Sequence, residues 1–128
     1  MNIPVLIVAI VMTFAILGHV IIGTRETATL EPKAARGKLM ANWVQTMCAF
    51  QMLTLDLIVV TAVLYVIALR DVLPAEPQIT LGLAAYFALH GLLWLGQVLW
   101  FARPGATILT LPHWAVWLAL AVLLWVGA

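Results

Sequence analysis

The chain alternates between long apolar runs and short polar breaks. Residues 3–23 carry no charge. Residues 39–69 carry a single acid, Asp56. Residues 79–102 and 111–126 complete a set of four apolar runs. About 20 residues cross a hydrocarbon core of roughly 30 Å when each adds about 1.5 Å, so the first three runs are long enough to span. The fourth is the shortest. It has no charge and follows the Pro104-Gly105 break, and it is read as a fourth span. Helix is the form expected of all four, because backbone groups in lipid must be satisfied within their own segment.

The breaks fit this division. Residues 24–38 hold Arg25, Glu26, Glu31, Pro32, Lys33, Arg36 and Gly37. Residues 70–78 hold Asp71, Pro74, Glu76 and Pro77, and residues 103–110 open on Arg103. Pro112 is expected in the first turn of the fourth helix, where a missing N–H costs little. Basic residues are unevenly placed. Arg25, Lys33, Arg36, Lys38 and Arg103 fall on one side of the predicted topology, and Arg70 alone falls on the other. The positive-inside rule then puts the first and third loops in the cytoplasm and both termini outside. Trp43, Trp100 and Trp114 lie at the predicted cytoplasmic boundary, as interfacial anchors do.

Composition strengthens the reading. Of 128 residues, 66% are hydrophobic and only 9% are charged, against about 25% charged in a soluble domain. A chain this small has too much surface to hide that many apolar side chains from water, so lipid is the expected solvent. The expected fold is all-α, a single integral-membrane four-helix bundle over residues 1–128. A net charge of +1 gives no basis for nucleic-acid binding. The one cysteine, Cys48, excludes an intrachain disulfide and a thiolate zinc cluster. Residues 1–24 have no basic n-region, and their apolar run exceeds a typical h-region, so a retained helix is expected.

Polar residues inside the runs carry the candidate chemistry. Lys38, Asn42 and Gln45 are spaced i, i+4, i+7, which puts one cation and two amides on a single helical stripe. Such a set suits a ligand with carboxylates and peptide groups. It also suits a snorkelling lysine and two amides that bind helices together, and the stripe is expected to face other helices. Asp56 and His90 sit near the middle of the second and third runs and are expected at similar depth. They could relay protons or counter a cationic substrate, as in a small proton-coupled transporter, or form a neutral hydrogen bond that locks two helices. His19 and His113 are read as interfacial hydrogen bonders, with His19 beside Gly18, a common helix-contact type. Cys48 and Met52, spaced i, i+4, could hold a soft metal but are read as packing. Trp94, Trp117 and Trp125 are expected to face lipid or the interface. No metal site is expected.

The stretch Lys38 to Phe50, KLMANWVQTMCAF, resembles the start of the second helix in the MAPEG family, the membrane-associated proteins in eicosanoid and glutathione metabolism. That family shows arginine, then asparagine four residues on, then glutamate three further on, then an apolar run. Lys38, Asn42 and Gln45 hold those positions here, with Phe50 in the run. Chain length, four helices and a longer polar first loop are also similar. The resemblance implies a homotrimer in a bacterial inner membrane. It implies a glutathione-dependent transferase or peroxidase acting on lipophilic electrophiles. Lys38, Asn42 and Gln45 would hold glutathione, and Arg103 would stabilise its thiolate, the nucleophilic form. The sequence departs from the pattern. Lysine replaces the arginine, which removes bidentate carboxylate recognition. Gln45 replaces the glutamate and Thr46 a frequent tyrosine. Leu92, Leu93 and Trp94 stand where a tyrosine is expected. Loss of catalysis, or a role as a non-catalytic subunit of a larger membrane complex, are the alternatives these departures leave.

Overall fold

A computed structural model describes residues 1–33, 37–70, 73–74, 76–101, 108 and 111–128. Four helices are present and no strand occurs among the described residues. Helix α1 runs Ile3–Thr29. It is α-helical over Ile3–Gly18, opens into a wider π turn at His19–Gly23, and closes again over Thr24–Thr29. Helix α2 is Lys38–Leu69, α3 is Glu76–Phe101 and α4 is His113–Gly127.

Three boundaries differ from expectation. Helix α1 continues six residues past its apolar run, through Thr24–Thr29. Helix α3 starts at Glu76, before its apolar run, with an acid and Pro77 in the first turn. Both residues suit that place: the acid complements the positive end of the helix dipole, and proline there sacrifices no helical N–H bond. Pro112 precedes α4 as its N-cap, with Ala115 N–H donating to its carbonyl at 2.9 Å.

Helices α1, α2 and α3 are long and apolar enough to cross a membrane; α4, at 15 residues, is shorter. Little of their apolar surface is covered. Only 22% of the most apolar stretch of α1 and of α3, and 28% of that of α2, is buried. Phe14, Leu55, Leu89 and Trp125 project outward. An apolar surface of that extent is far beyond what a soluble monomer exposes.

The chain divides into two compact units, residues 9–65 and residues 1–8 with 66–128. In the first, α1 and α2 run antiparallel and are joined by polar rungs. Thr13 Oγ1 donates to the Ala9 carbonyl at 2.9 Å and lies 3.0 Å from the Tyr65 hydroxyl. A threonine has one hydroxyl hydrogen and a carbonyl only accepts, so Tyr65 is the donor to Thr13. His19 Nε2 donates to the Phe50 carbonyl at 3.2 Å, and the two rings stack at 3.8 Å with 14° between planes. Gln51 Nε2 donates to Thr24 Oγ1 at 3.2 Å, and Trp43 Nε1 to the Thr27 carbonyl at 3.5 Å. The last two rungs hold the polar end of α1 against α2, which is why the helix outlasts its apolar run. A β-carbon on Gly23 would stand 2.8 Å from the tip of the Phe50 ring. The close helix contact therefore falls at Gly23. Gly18, the expected contact, has open space around it.

In the second unit α3 packs on α4. Gly91 meets Leu118 and the Trp114 carbonyl, and Phe87 meets Trp117 edge-on at 5.0 Å. Leu120, Ala121 and Leu124 of α4 are buried, as are Thr80, Ala84 and Phe87 of α3. Asn2 ties three helix ends in this unit. Its Oδ1 accepts from Val5 N–H at 3.3 Å, which caps α1. Its Nδ2 donates to the Gly127 carbonyl at 2.6 Å, and its backbone N–H donates to the Ala68 carbonyl at 2.9 Å. Those two carbonyls belong to the last turns of α4 and α2, where no intrahelical partner is available.

Candidate functional site: the polar stripe of α2

Gly37 adopts φ 73°, a conformation that glycine reaches without steric cost, and its carbonyl accepts Ala41 N–H at 3.0 Å. Lys38 follows as the first residue of α2. From Lys38 the positions Asn42, Gln45, Ala49, Met52 and Asp56 advance in steps of four and three. That places all six on one stripe of a regular helix. All six are exposed on the chain. At about 1.5 Å per residue, Lys38 and Asp56 lie roughly 27 Å apart along the axis, nearly the depth of a hydrocarbon core.

Among the described residues of their unit, the side chains of Lys38, Asn42, Gln45 and Asp56 find no hydrogen-bond or ion-pair partner. Thr46, next to Gln45, turns its hydroxyl back to the Asn42 carbonyl at 2.9 Å. That bond occupies the position at which a tyrosine was looked for. The stripe was expected to face other helices; on the single chain it is open. Arg103, the expected thiolate partner, lies outside the described residues, as do Arg36, Asp71, Pro104 and Gly105.

His90 is engaged within its own unit. Its Nδ1 lies 3.0 Å from the Tyr86 carbonyl, and since a carbonyl only accepts, the proton sits on Nδ1. The ring lies between Tyr86 at 4.2 Å and Trp117 at 5.1 Å. His19 is the interfacial hydrogen bonder expected of it. The ring of His113 packs on Trp94 at 4.8 Å. Trp94 and Trp117 thus pack between α3 and α4 and do not face lipid as expected, while Trp125 does project outward. The Trp94 indole N–H is buried without a hydrogen-bond partner. Cys48 and Met52 are exposed, where packing was expected. Among the described residues no three His, Cys, Asp or Glu converge enough to share a metal ion.

A concave feature was not foreseen from the sequence. In the unit formed by residues 1–8 and 66–128, the start of α1, the end of α2, the start of α3 and the end of α4 enclose an open cavity of about 650 Å³. Arg70 and Glu76 both line it. The only sequence signal was Arg70, the lone basic residue on its side of the predicted topology.

These features define a chain whose described residues are helical, with three helices long and apolar enough to cross a membrane and a polar stripe along α2. No protein-family model, no curated protein and no solved structure matches it.

Proposed function

We propose that the chain is an integral membrane protein that self-associates along the α2 stripe and binds a glutathione-like peptide anion at its Lys38 end. The observation that carries the reading is the exposed line from Lys38 through Asn42 and Gln45 to Asp56. An acid in mid-span costs about 2.5–3.5 kcal/mol on insertion scales and usually faces protein. A second copy of the chain is the natural cover. Asn42 and Gln45 favour this, because an amide both donates and accepts and so pairs with its own symmetry mate. A trimer is the assembly the MAPEG-like KLMANWVQTMCAF stretch implies.

In this reading α4 is a fourth crossing. Its 15 residues cover about 22 Å, and local thinning of the bilayer makes up the rest. The first and third loops face the cytoplasm, from which glutathione arrives, while an apolar electrophile arrives through lipid. Lys38 attracts a carboxylate as a point charge, and Asn42 and Gln45 meet peptide groups. Arg103, following α3, would favour the glutathione thiolate. The substitutions relative to the family pattern leave binding more strongly supported than turnover.

Reduced glutathione at millimolar concentration should raise the melting temperature of the protein purified in detergent. Asn42→Ala should abolish that rise. Absence of any shift in the parent protein overturns the ligand. A monomer by size in detergent overturns self-association, and a chain recovered only with foreign subunits points to the subunit role instead.

A further inference from the structure

We propose that the cavity beside Arg70 binds a phosphate and a primary ammonium held a few atoms apart, the chemistry of an aminophospholipid headgroup. The cavity of about 650 Å³ falls in the range of small-ligand sites, roughly 300–1,000 Å³. Among the described side chains that line it, Arg70 is the cation and Glu76 the carboxylate, and the terminal residues Met1 and Ala128 line it as well. The two are not ion-paired with each other, although both line the same space. A cation and an anion left apart across a cavity match a ligand that bears both charges.

Each group suits its part. Arg70 follows the last residue of α2, so its guanidinium stands where hydrocarbon gives way to headgroups. Its planar fork meets a phosphate with two parallel N–H donors. Glu76 opens α3, and its carbonyl is held by the Thr80 hydroxyl at 2.9 Å, which fixes the first turn. Its carboxylate can only accept, which fits an ammonium with N–H donors. Asn2 also lines the cavity, but its side chain is spent on Val5 and Gly127. Among the described side chains, Arg70 and Glu76 are the two that carry recognition. Ile67 and Val126 give the cavity apolar wall, suited to the glycerol and first methylenes of a lipid. The inference rests on the membrane reading above but needs neither glutathione nor the α2 stripe.

The test is lipid retention by the full chain in a maltoside detergent, read by native mass spectrometry. Equal amounts of phosphatidylethanolamine, phosphatidylcholine and phosphatidylglycerol are offered. Phosphatidylethanolamine should be retained most. Phosphatidylcholine lacks N–H donors for Glu76, and phosphatidylglycerol lacks the cation altogether. Glu76→Gln should cut the preference for phosphatidylethanolamine over phosphatidylcholine by roughly fivefold, the upper range for a partly exposed ion pair. Arg70→Gln should lower retention of all three lipids. Arg70→Lys keeps the charge but loses the fork and should retain lipid at a level between the parent and Arg70→Gln, which separates recognition from misfolding. Soluble glycerophosphoethanolamine that displaces the lipid shows that the headgroup suffices. A persistent lipid preference that it cannot displace assigns the site to bilayer lipid. Equal retention of the three lipids by the parent chain, or a preference untouched by Glu76→Gln, overturns the proposal.

Discussion

Three glycines of α3 offer a test in which one substitution has opposite signs along one helix. Replacing glycine by alanine in a helix interior normally stabilises it by about 1 kcal/mol, because the unfolded chain loses freedom. At Gly82 and Gly96 an added β-carbon meets nothing within 4 Å. Gly82→Ala and Gly96→Ala should therefore be neutral or stabilising by up to about 1 kcal/mol. At Gly91 the same carbon would stand 2.8 Å from Leu118 Cγ, 2.9 Å from Leu118 Cδ2 and 3.0 Å from the Trp114 carbonyl. Cγ is a branch point close to the backbone and the carbonyl is backbone, so neither yields easily. Overpacking of this kind costs about 1–3 kcal/mol. Set against the propensity gain, Gly91→Ala should be destabilising by about 1–2 kcal/mol. Leu118→Ala removes two of the three short contacts, so the double variant should be more stable than the sum of the singles by about 1 kcal/mol. The assay is equilibrium unfolding of each purified variant in mixed detergent. If Gly91→Ala is tolerated as well as Gly82→Ala, and its coupling to Leu118 is zero, the packing of α4 on α3 is wrong.

Two further outcomes follow from the polar ties. Asn2→Ala loses the α1 cap and the bond to the Gly127 carbonyl, and unfolding should show a loss of about 1–2 kcal/mol. Asn2→Asp keeps the cap acceptor but cannot donate to Gly127, and should lie between the two; equality of all three removes Asn2 from its role. In a double-mutant cycle, Thr13→Val and Tyr65→Phe should couple by about 0.6 kcal/mol, the average for interhelical hydrogen bonds in membranes. Strict additivity would mean that the rung is absent in lipid.

The amino-acid sequence foretold helices best where a run is apolar from end to end. The apolar run 39–69 differs from α2 by one residue, because a span is greasy for its whole length and stops at a charge. Hydropathy reports contact with lipid rather than helicity, and this explains the misplaced end of α1. Thr24 and Thr27 are polar yet helical, held by Gln51 and Trp43. Glu76 and Pro77 look like loop residues yet form a first turn. The spacing of Lys38, Asn42 and Gln45 revealed their common stripe, since helical geometry alone sets it. Spacing could not reveal whether the stripe faces its own chain. The Asn2 junction and the Arg70 cavity were out of reach, because each joins residues from opposite ends of the sequence. Residue type assigned Trp94 and Trp117 to lipid or the interface, but their rings pack on His113 and on Phe87 and His90.

The π turn of α1 has a geometric consequence. Thr24 N–H bonds the His19 carbonyl, so this turn contains one residue more than its neighbours. Were all five residues of 19–23 wound as ordinary α-helix, α1 would become a uniform rod with better local geometry. Everything downstream would then rotate by about 100°. Thr24 and Thr27 would swing away from Gln51 and Trp43, and the helix would become more regular while the hairpin lost its fastening. The surplus residue acts as a phase shifter that keeps two sets of rungs aligned, and its worth is invisible to any measure of helix quality.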